Sequence, residues 1–191
     1  RMVWSPYRGS TDISIARCVE ATIFLDKKIN CDMILFLDDD IIYDPRDIRK
    51  LCIECKNGYE LIGGAYVLKT DRDNHLTTKI FDGEKVEFNA NAVPVEVKWL
   101  AGGCMCISRK ALEQVIKNLS LPRMDLGFYQ VYPFFVPYYK EIDGITRYLT
   151  EDWAFCERFR DSGGKAYLDP SISLGHAGRK VYKLESLLEK S

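Results

Sequence analysis

Three consecutive aspartates, Asp38, Asp39 and Asp40, are the residues of this chain whose type and spacing point most directly to chemistry. They follow a run of five apolar residues, Met33–Leu37, which is typical of a buried strand. In an extended segment, residues two apart point the same way, so Asp38 and Asp40 share a face and Asp39 points elsewhere. Adjacent carboxylates repel one another, and Mg²⁺ or Mn²⁺ relieves that repulsion. The pattern predicts a metal-binding strand end; a solvated strand end is the alternative.

An acidic pair, Glu151 and Asp152, is the second candidate. It follows Thr150 at the predicted start of a helix, where acidic side chains stabilise the helix by about 0.3–1 kcal/mol. That purely structural role is one interpretation. The other is catalytic, because a carboxylate can take a proton from an attacking hydroxyl group.

Several further residues could bind a nucleotide. Tyr7 can stack on a base, and Arg8 and Arg17 can bind phosphates through forked hydrogen bonds. An ion pair between Arg17 and the aspartates is an equally good interpretation. Gly102 and Gly103 permit a close approach of the backbone, which suits either the wall of a pocket or a tight bend.

Alternating strand and helix patterns must position these residues. Helices are expected at about residues 12–28, 45–56, 109–117 and 151–161, and strands at 3–4, 33–37, within 59–67, and at 95–99 and 165–168. Residues 68–98 suggest an antiparallel excursion, and residues 121–144 a loop with exposed aromatic rings. This order predicts an α/β layered fold, in which ligands bind outside the carboxyl ends of the strands.

The composition narrows the function classes. A chain of 191 residues with 47% hydrophobic residues fits a single domain, and a net charge of −1 argues against a nucleic-acid partner. No apolar run approaches the roughly 20 residues of a membrane span. Seven scattered cysteines favour a reducing compartment such as the cytoplasm. The pairs Cys52/Cys55 and Cys104/Cys106 leave a zinc site as a minor alternative.

Four segments, in order, carry a resemblance to a known family. ILFLDDDIIYDP resembles the DxD motif of nucleotide-sugar glycosyltransferases with the GT-A fold, and the other three segments resemble further parts of that fold: SPYRGSTDISIAR, WLAGGCMCISRKALEQV and YLTEDWAFCERFRDSGGKAYLDPSISLGHAG. The resemblance covers nearly the whole chain. It implies a Rossmann-like three-layer α/β/α domain over residues 1–191 with a central mixed, mostly parallel sheet. The nucleotide-binding part would lie at about 1–67 and the donor-sugar and acceptor part at about 95–180, with possible further domains C-terminal to them.

The resemblance also implies roles for individual residues. Asp40 and His176 would ligate Mn²⁺ or Mg²⁺, and Asp38 would join them or contact the ribose. Asp152, in preference to Glu151, would be the catalytic base of an inverting transfer. The remaining matches would bind the nucleotide-sugar: Ser5, Pro6, Tyr7, Arg8, Arg17, Asp38, Asp39, Gly102 and Gly103.

The expected reaction is transfer of a hexose or deoxyhexose from a UDP-sugar to a hydroxyl group of a glycan acceptor. The resemblance extends to glycosyltransferase domains of chlorella viruses, which would place the reaction in glycan biosynthesis in the host cytoplasm. One alternative is a phosphohydrolase of the haloacid-dehalogenase type with Asp38 as nucleophile, although Ile42 stands where that class usually has Thr or Val. A non-catalytic module that binds sugar nucleotides is the other.

Overall fold

The computed structural model of the chain describes residues 12–70, 75–127 and 129–184. Within these residues the chain forms four helices and twelve strands. In chain order they are α1 (Ile13–Phe24), β1 (Met33–Leu37), β2 (Ile41–Ile42), α2 (Pro45–Lys56), β3 (Leu61–Ala65), β4 (Val95–Val97), β5 (Cys104–Ser108), α3 (Arg109–Leu119), β6 (Met124–Asp125), β7 (Gln130–Val131), β8 (Tyr138–Ile142), β9 (Ile145–Leu149), α4 (Glu151–Asp161), β10 (Ala166–Ser173), β11 (Gly175–Ala177) and β12 (Val181–Tyr182).

The central sheet is mixed and has the strand order β1-β5-β3-β10-β4. Of its pairs among the described residues, β3 with β10 is parallel and the other three are antiparallel. The expectation of a mostly parallel sheet is therefore wrong, because β5 runs antiparallel between β1 and β3. Both β1 and β3 run antiparallel to β5, and β10 runs parallel to β3. The carboxyl ends of β1, β3 and β10 therefore lie at the same end of the sheet.

Side chains of the sheet alternate between two cores, as the pleat of a strand requires. Leu61 and Ala65 of β3 belong to a core that includes residues of α1, α3 and α4. Ile62 of the same strand belongs to a second core with residues of α2. The α/β class is confirmed, and both faces of the sheet are packed against helices.

The four cysteines of the two predicted pairs contribute to the second core. Cys55, Cys104 and Cys106 are buried and Cys52 is partly buried there, and all seven cysteines of the chain are free thiols. Within the described parts of the chain, no three His, Cys, Asp or Glu side chains are arranged to hold a metal ion. Over the same residues, no helix has the length and apolar character needed to cross a membrane.

Helix boundaries follow local capping chemistry. The side chain of Asp44 accepts a hydrogen bond from the backbone N–H of Arg46 at the start of α2, and Ser108 accepts one from Ala111 at the start of α3. Both starts confirm the predictions. Helix α1 begins after its cap Asp12, as expected, but ends at Phe24, one turn earlier than predicted.

The aromatic segment at residues 121–144 differs from the prediction of an exposed loop. It contains three strands, β6, β7 and β8, and Phe134 and Phe135 are fully buried in the first core. Tyr129 and Tyr139 are exposed as expected. The pattern misled because closely spaced aromatic residues and prolines are compatible both with a loop and with short strands that pack on a core.

A buried ionic cluster ties α2 to β10. Asp169 is fully buried, and its carboxylate lies 2.7 Å from Nζ of Lys50, which also lies 3.5 Å from Glu54. Burial, and then the neighbouring Asp169, raise the pKa of Glu54 to about 7. Below about pH 7, Glu54 is therefore protonated in the folded protein, while Asp169 is ionised beside Lys50.

This cluster makes the stability of the fold dependent on pH. The pKa of Glu54 is higher in the folded protein than its ordinary value of 4.5, so its contribution is complete below pH 4.5 and is lost as pH rises through about 7. We expect this group to lower the free energy of unfolding by about 1–3 kcal/mol between pH 5 and pH 8, allowing for screening by water. Glu54→Gln should remove that part of the pH dependence. Urea unfolding at both pH values measures it; an equal pH dependence in the variant would contradict the prediction, and Asp82→Asn on the surface is the control.

Candidate functional site

The candidate site lies where the carboxyl ends of β1, β3 and β10 meet. The backbone N–H of Asp38 donates to the carbonyl of Gly103 at 2.9 Å, which joins the end of β1 to the loop before β5. Beyond β10, β11 pairs with β2, with His176 opposite Ile41. The N–H of Ala177 donates to the carbonyl of Asp40 at 2.7 Å. These backbone bonds bring His176 beside the aspartates from a position over 130 residues away in the chain.

Asp40 has a histidine on one oxygen and a lysine on the other. Its Oδ1 lies 3.7 Å from Nε2 of His176, and its Oδ2 contacts Nζ of Lys69. The structure thus brings together two of the predicted metal ligands, Asp40 and His176. Sequence reasoning missed Lys69, because nothing in the polar segment around it distinguishes one basic residue from another.

The orientation of His176 fits a metal ligand. Its Nδ1 lies 2.9 Å from the carbonyl oxygen of Val67, which can only accept, so Nδ1 carries the proton. In the neutral ring the lone pair is then on Nε2, the atom that faces Asp40. In histidines that bind metals through one ring nitrogen, the other nitrogen typically donates a hydrogen bond, as Nδ1 does here. Carboxylate and imidazole together suit Mn²⁺, which can take its remaining ligands from phosphate and water.

Asp38 has a different partner. Both of its oxygens lie within hydrogen-bonding distance of one nitrogen of Arg17, at 2.9 and 3.2 Å. The structure therefore does not assemble Asp38 with Asp40 and His176 as a set of three ligands. Asp39 is exposed. The predicted extended alternation does not continue through the three aspartates, because Asp39 and Asp40 lie in a turn in which the N–H of Ile41 donates to the carbonyl of Asp38 at 3.2 Å. Arg17 pairs with Asp38.

Arg17 joins three elements of the site. It is 5% exposed, and besides Asp38 it binds Oε1 of Glu151 at 2.9 Å and the carbonyl of Gly102 at 3.1 Å. A Cβ on Gly102 would overlap the guanidinium group, so a larger residue here would displace Arg17 from its partners. Arg17 thus holds the end of β1, the loop before β5 and the start of α4 together. Of the two roles considered for this residue, the structure shows the ion pair with the aspartates.

Asp152 is fixed by three hydrogen bonds. Its Oδ2 accepts from the backbone N–H of Gly102 at 3.0 Å, and its Oδ1 accepts from the hydroxyl of Thr150 and the N–H of Trp153. Thr150 occupies the N-cap position as predicted, but its side chain binds Asp152 instead of capping the helix. The two oxygens offer about four lone-pair sites, so the bonds recorded among the described residues leave one at Oδ2.

Glu151 differs from Asp152 in its environment. Burial, and then the nearby charge of Asp152, raise the pKa of its carboxyl group above the usual value, while Arg17 acts in the opposite direction. Glu151 is therefore an ion-pair partner of Arg17 in a partly buried position, whereas Asp152 is held by neutral donors.

Tyr66, directly after β3, contacts both the loop at Gly103 and the imidazole of His176. Its hydroxyl oxygen accepts from the N–H of Gly103 at 2.7 Å, and its ring packs edge-on against His176 with centroids 5.2 Å apart. A Cβ on Gly103 would overlap this hydroxyl group. Both glycines are therefore explained by close packing; their role as the wall of a sugar pocket stays a prediction.

Tyr66→Phe should destabilise the protein by about 1–3 kcal/mol, because it leaves the buried N–H of Gly103 without its acceptor. Urea unfolding measures this loss. Tyr129→Phe, at a tyrosine that is 62% exposed, is the control and should be neutral. Equal stability of the Tyr66 variant and the wild type would contradict the role assigned to this hydroxyl group.

The placement of the remaining candidates is mixed. Ser5, Pro6, Tyr7 and Arg8 lie outside the described residues, so the predicted nucleotide-base site stays a prediction. Asp40, His176, Arg17, Asp38, Glu151, Asp152 and the two glycines form one connected region. Tyr66 was missed, although its place directly after the buried strand β3 is the signal that pointed to Asp38.

Comparisons with known proteins give a fold and no family. No family model matches the chain, and no curated protein matches it. Among solved structures, the crystal structure of A197 from STIV matches with a TM-score of 0.55 and 21% sequence identity. The match covers 91% of this chain and 76% of that one. At this identity the likeness shows that the two chains share a fold.

Proposed function

We propose that this chain is a metal-dependent glycosyltransferase with a GT-A fold, which transfers a hexose or deoxyhexose from a UDP-sugar to a hydroxyl group of a glycan. The observation that carries the proposal is the convergence of Asp40 and His176 at the carboxyl ends of the strands. Tyr66 connects them to Asp152, because its ring packs on His176 and its hydroxyl binds Gly103, while the neighbouring Gly102 binds Asp152. Helices on both faces of the mixed sheet agree with the three-layer arrangement of that fold.

Each part of the site has a place in the reaction. Asp40 and His176 would hold Mn²⁺ or Mg²⁺, which acts as a Lewis acid for the departing diphosphate. Asp152 would accept the proton of the acceptor hydroxyl group. At the same time the oxygen of that hydroxyl group would bond to the anomeric carbon of the donor sugar, and the bond from this carbon to UDP would break. The configuration at this carbon is then inverted. The three hydrogen bonds on Asp152 keep its carboxylate in place.

The geometry supports the phosphohydrolase alternative less well. A nucleophilic aspartate needs an oxygen that can reach phosphorus. Both oxygens of Asp38 are bound to Arg17, which is almost completely buried. A covalent phosphate on Asp38 would nevertheless reverse this preference. To test for it, the protein is incubated with phosphate esters and quenched with acid, and Asp38 is examined for a bound phosphate.

Nucleotide-sugar binding is the direct test of the proposed function. UDP-glucose, UDP-galactose and GDP-mannose are compared by thermal unfolding, each with Mn²⁺ and with EDTA. A ligand at ten times its Kd adds about 1.4 kcal/mol to stability, which corresponds to a rise in Tm of about 3–6 °C for a domain of this size. We expect a rise with a UDP-sugar that requires the metal. No rise with any of the three at millimolar concentration would refute the proposal.

A further inference from the structure

Lys69 is a charged residue at the site to which neither the DxD resemblance nor the proposed mechanism gives a role. Its ammonium group contacts Oδ2 of Asp40, the oxygen that His176 does not face. The side chain is one-third exposed. It is therefore an accessible positive charge on the carboxylate that is expected to bind the metal.

The surrounding backbone holds Lys69 in this position. The N–H of Leu68 donates to the carbonyl of His75 at 2.9 Å, and Val67 pairs with Leu76 across an antiparallel bridge. The aliphatic stem of Lys69 passes close to Gly178, where a Cβ would lie 3.3 Å from its Cδ. The side chain of Lys69 therefore lies between its own segment, which includes Val67, and the segment of His176 and Gly178. Val67 and His176 are joined by the hydrogen bond of the imidazole ring.

Two cations compete for the same carboxylate. An ammonium group and a divalent ion on Asp40 would repel each other at short range, so binding of the ion has to displace Lys69. Its four-carbon stem allows the ammonium group to move while staying near the site. A diphosphate bound to the ion brings negative charge to the same place, and an ammonium group stabilises it through charge-assisted hydrogen bonds.

We propose that Lys69 neutralises Asp40 until a divalent cation binds, and then moves to the diphosphate of the donor. This inference rests on the proposed function and adds a residue that couples the two binding events. It has a distinctive consequence: Lys69 opposes binding of the metal alone and favours binding of the nucleotide. A residue with a merely structural role would not act with opposite signs on the two ligands.

Calorimetric titration of the purified chain measures both affinities. Mn²⁺ alone is titrated first, and UDP is then titrated at saturating Mn²⁺. Lys69→Met keeps the length of the side chain and removes its charge. We expect this variant to bind Mn²⁺ alone about three to ten times more tightly than the wild type, and UDP about ten times more weakly. Lys69→Arg keeps the charge and should stay within about threefold of the wild type for Mn²⁺ alone.

Lys79→Met is the matched control, because Lys79 is an exposed lysine paired with Asp82 on the surface, and it should change neither affinity. If either expected change is absent in Lys69→Met while the wild type binds both ligands, the inference about Lys69 is overturned and the proposed function stands. If the wild type binds neither Mn²⁺ nor UDP, the proposed function is overturned and this inference with it.

Discussion

Asp152→Asn should lower kcat by a factor of about 10²–10⁴, the usual contribution of a general base. The affinity for UDP with Mn²⁺ should change less than threefold, because the contacts of Asp152 are to Thr150, Trp153 and Gly102 and not to Asp40 or His176. Release of UDP from the best-binding donor measures kcat, and calorimetry measures the affinity. The combination of lost turnover and retained binding identifies Asp152 as the base.

Glu151→Gln is the matched comparison, since it changes the neighbouring carboxylate at the same helix start. Its amide oxygen can still accept from Arg17, so we expect a loss in kcat of less than about tenfold. In Asp152→Asn, an amide nitrogen at the position of Oδ2 would face the N–H of Gly102, which costs about 1–3 kcal/mol of stability; both variants are therefore assayed well below their Tm. A larger loss in Glu151→Gln would assign the base to Glu151. Undiminished turnover in both would refute a carboxylate base at this helix.

Local signals in the sequence predicted the four helices and the strands β1, β3, β4 and β10, but not β5, which lies between β1 and β3, nor the other strands. Capping residues fix the starts of α2 and α3, and the apolar run at β1 fixes its bounds, because these features depend on neighbours in the chain. The direction of β5 could not be predicted in this way. An all-apolar strand buried on both faces is compatible with either direction, and the choice is made by tertiary connections.

The same distinction explains the site. Adjacent carboxylates after an apolar strand indicate Asp38 and Asp40 locally. The expected alternation is wrong, because the chain turns at Asp39 and Asp40 and gives Asp38 and Asp40 different partners. The choice of partners is long-range: Arg17 of α1 binds Asp38, and Lys69 binds Asp40 across 29 residues. The chain contains 27 lysines and arginines, and their spacing does not show which of them meets a given aspartate.

Removal of Arg17 should have the largest effect on stability. Arg17→Met leaves Asp38 and Glu151 without their shared cation at a position where Arg17 is 5% exposed. Breaking a buried ion pair on one side costs about 3–5 kcal/mol, and the partial exposure of both carboxylates favours the lower end, about 3 kcal/mol. Urea unfolding at pH 7 measures the loss. Arg17→Lys should lose less, because a single ammonium group keeps the charge but cannot span Asp38, Glu151 and the carbonyl of Gly102.

A double-mutant cycle separates the ion pair from simple packing. In Arg17→Met the carboxylate of Glu151 is uncompensated, so adding Glu151→Gln should recover about 1–2 kcal/mol. The deficit of the single variant should also shrink at pH 5. Arg17 normally opposes the rise in the pKa of Glu151, so without it this carboxyl group binds a proton more readily in the folded protein. Additive losses in the cycle, with a deficit that does not change with pH, would mean that Arg17 stabilises the site by packing alone, and that Glu151 owes its position to the helix rather than to the ion pair.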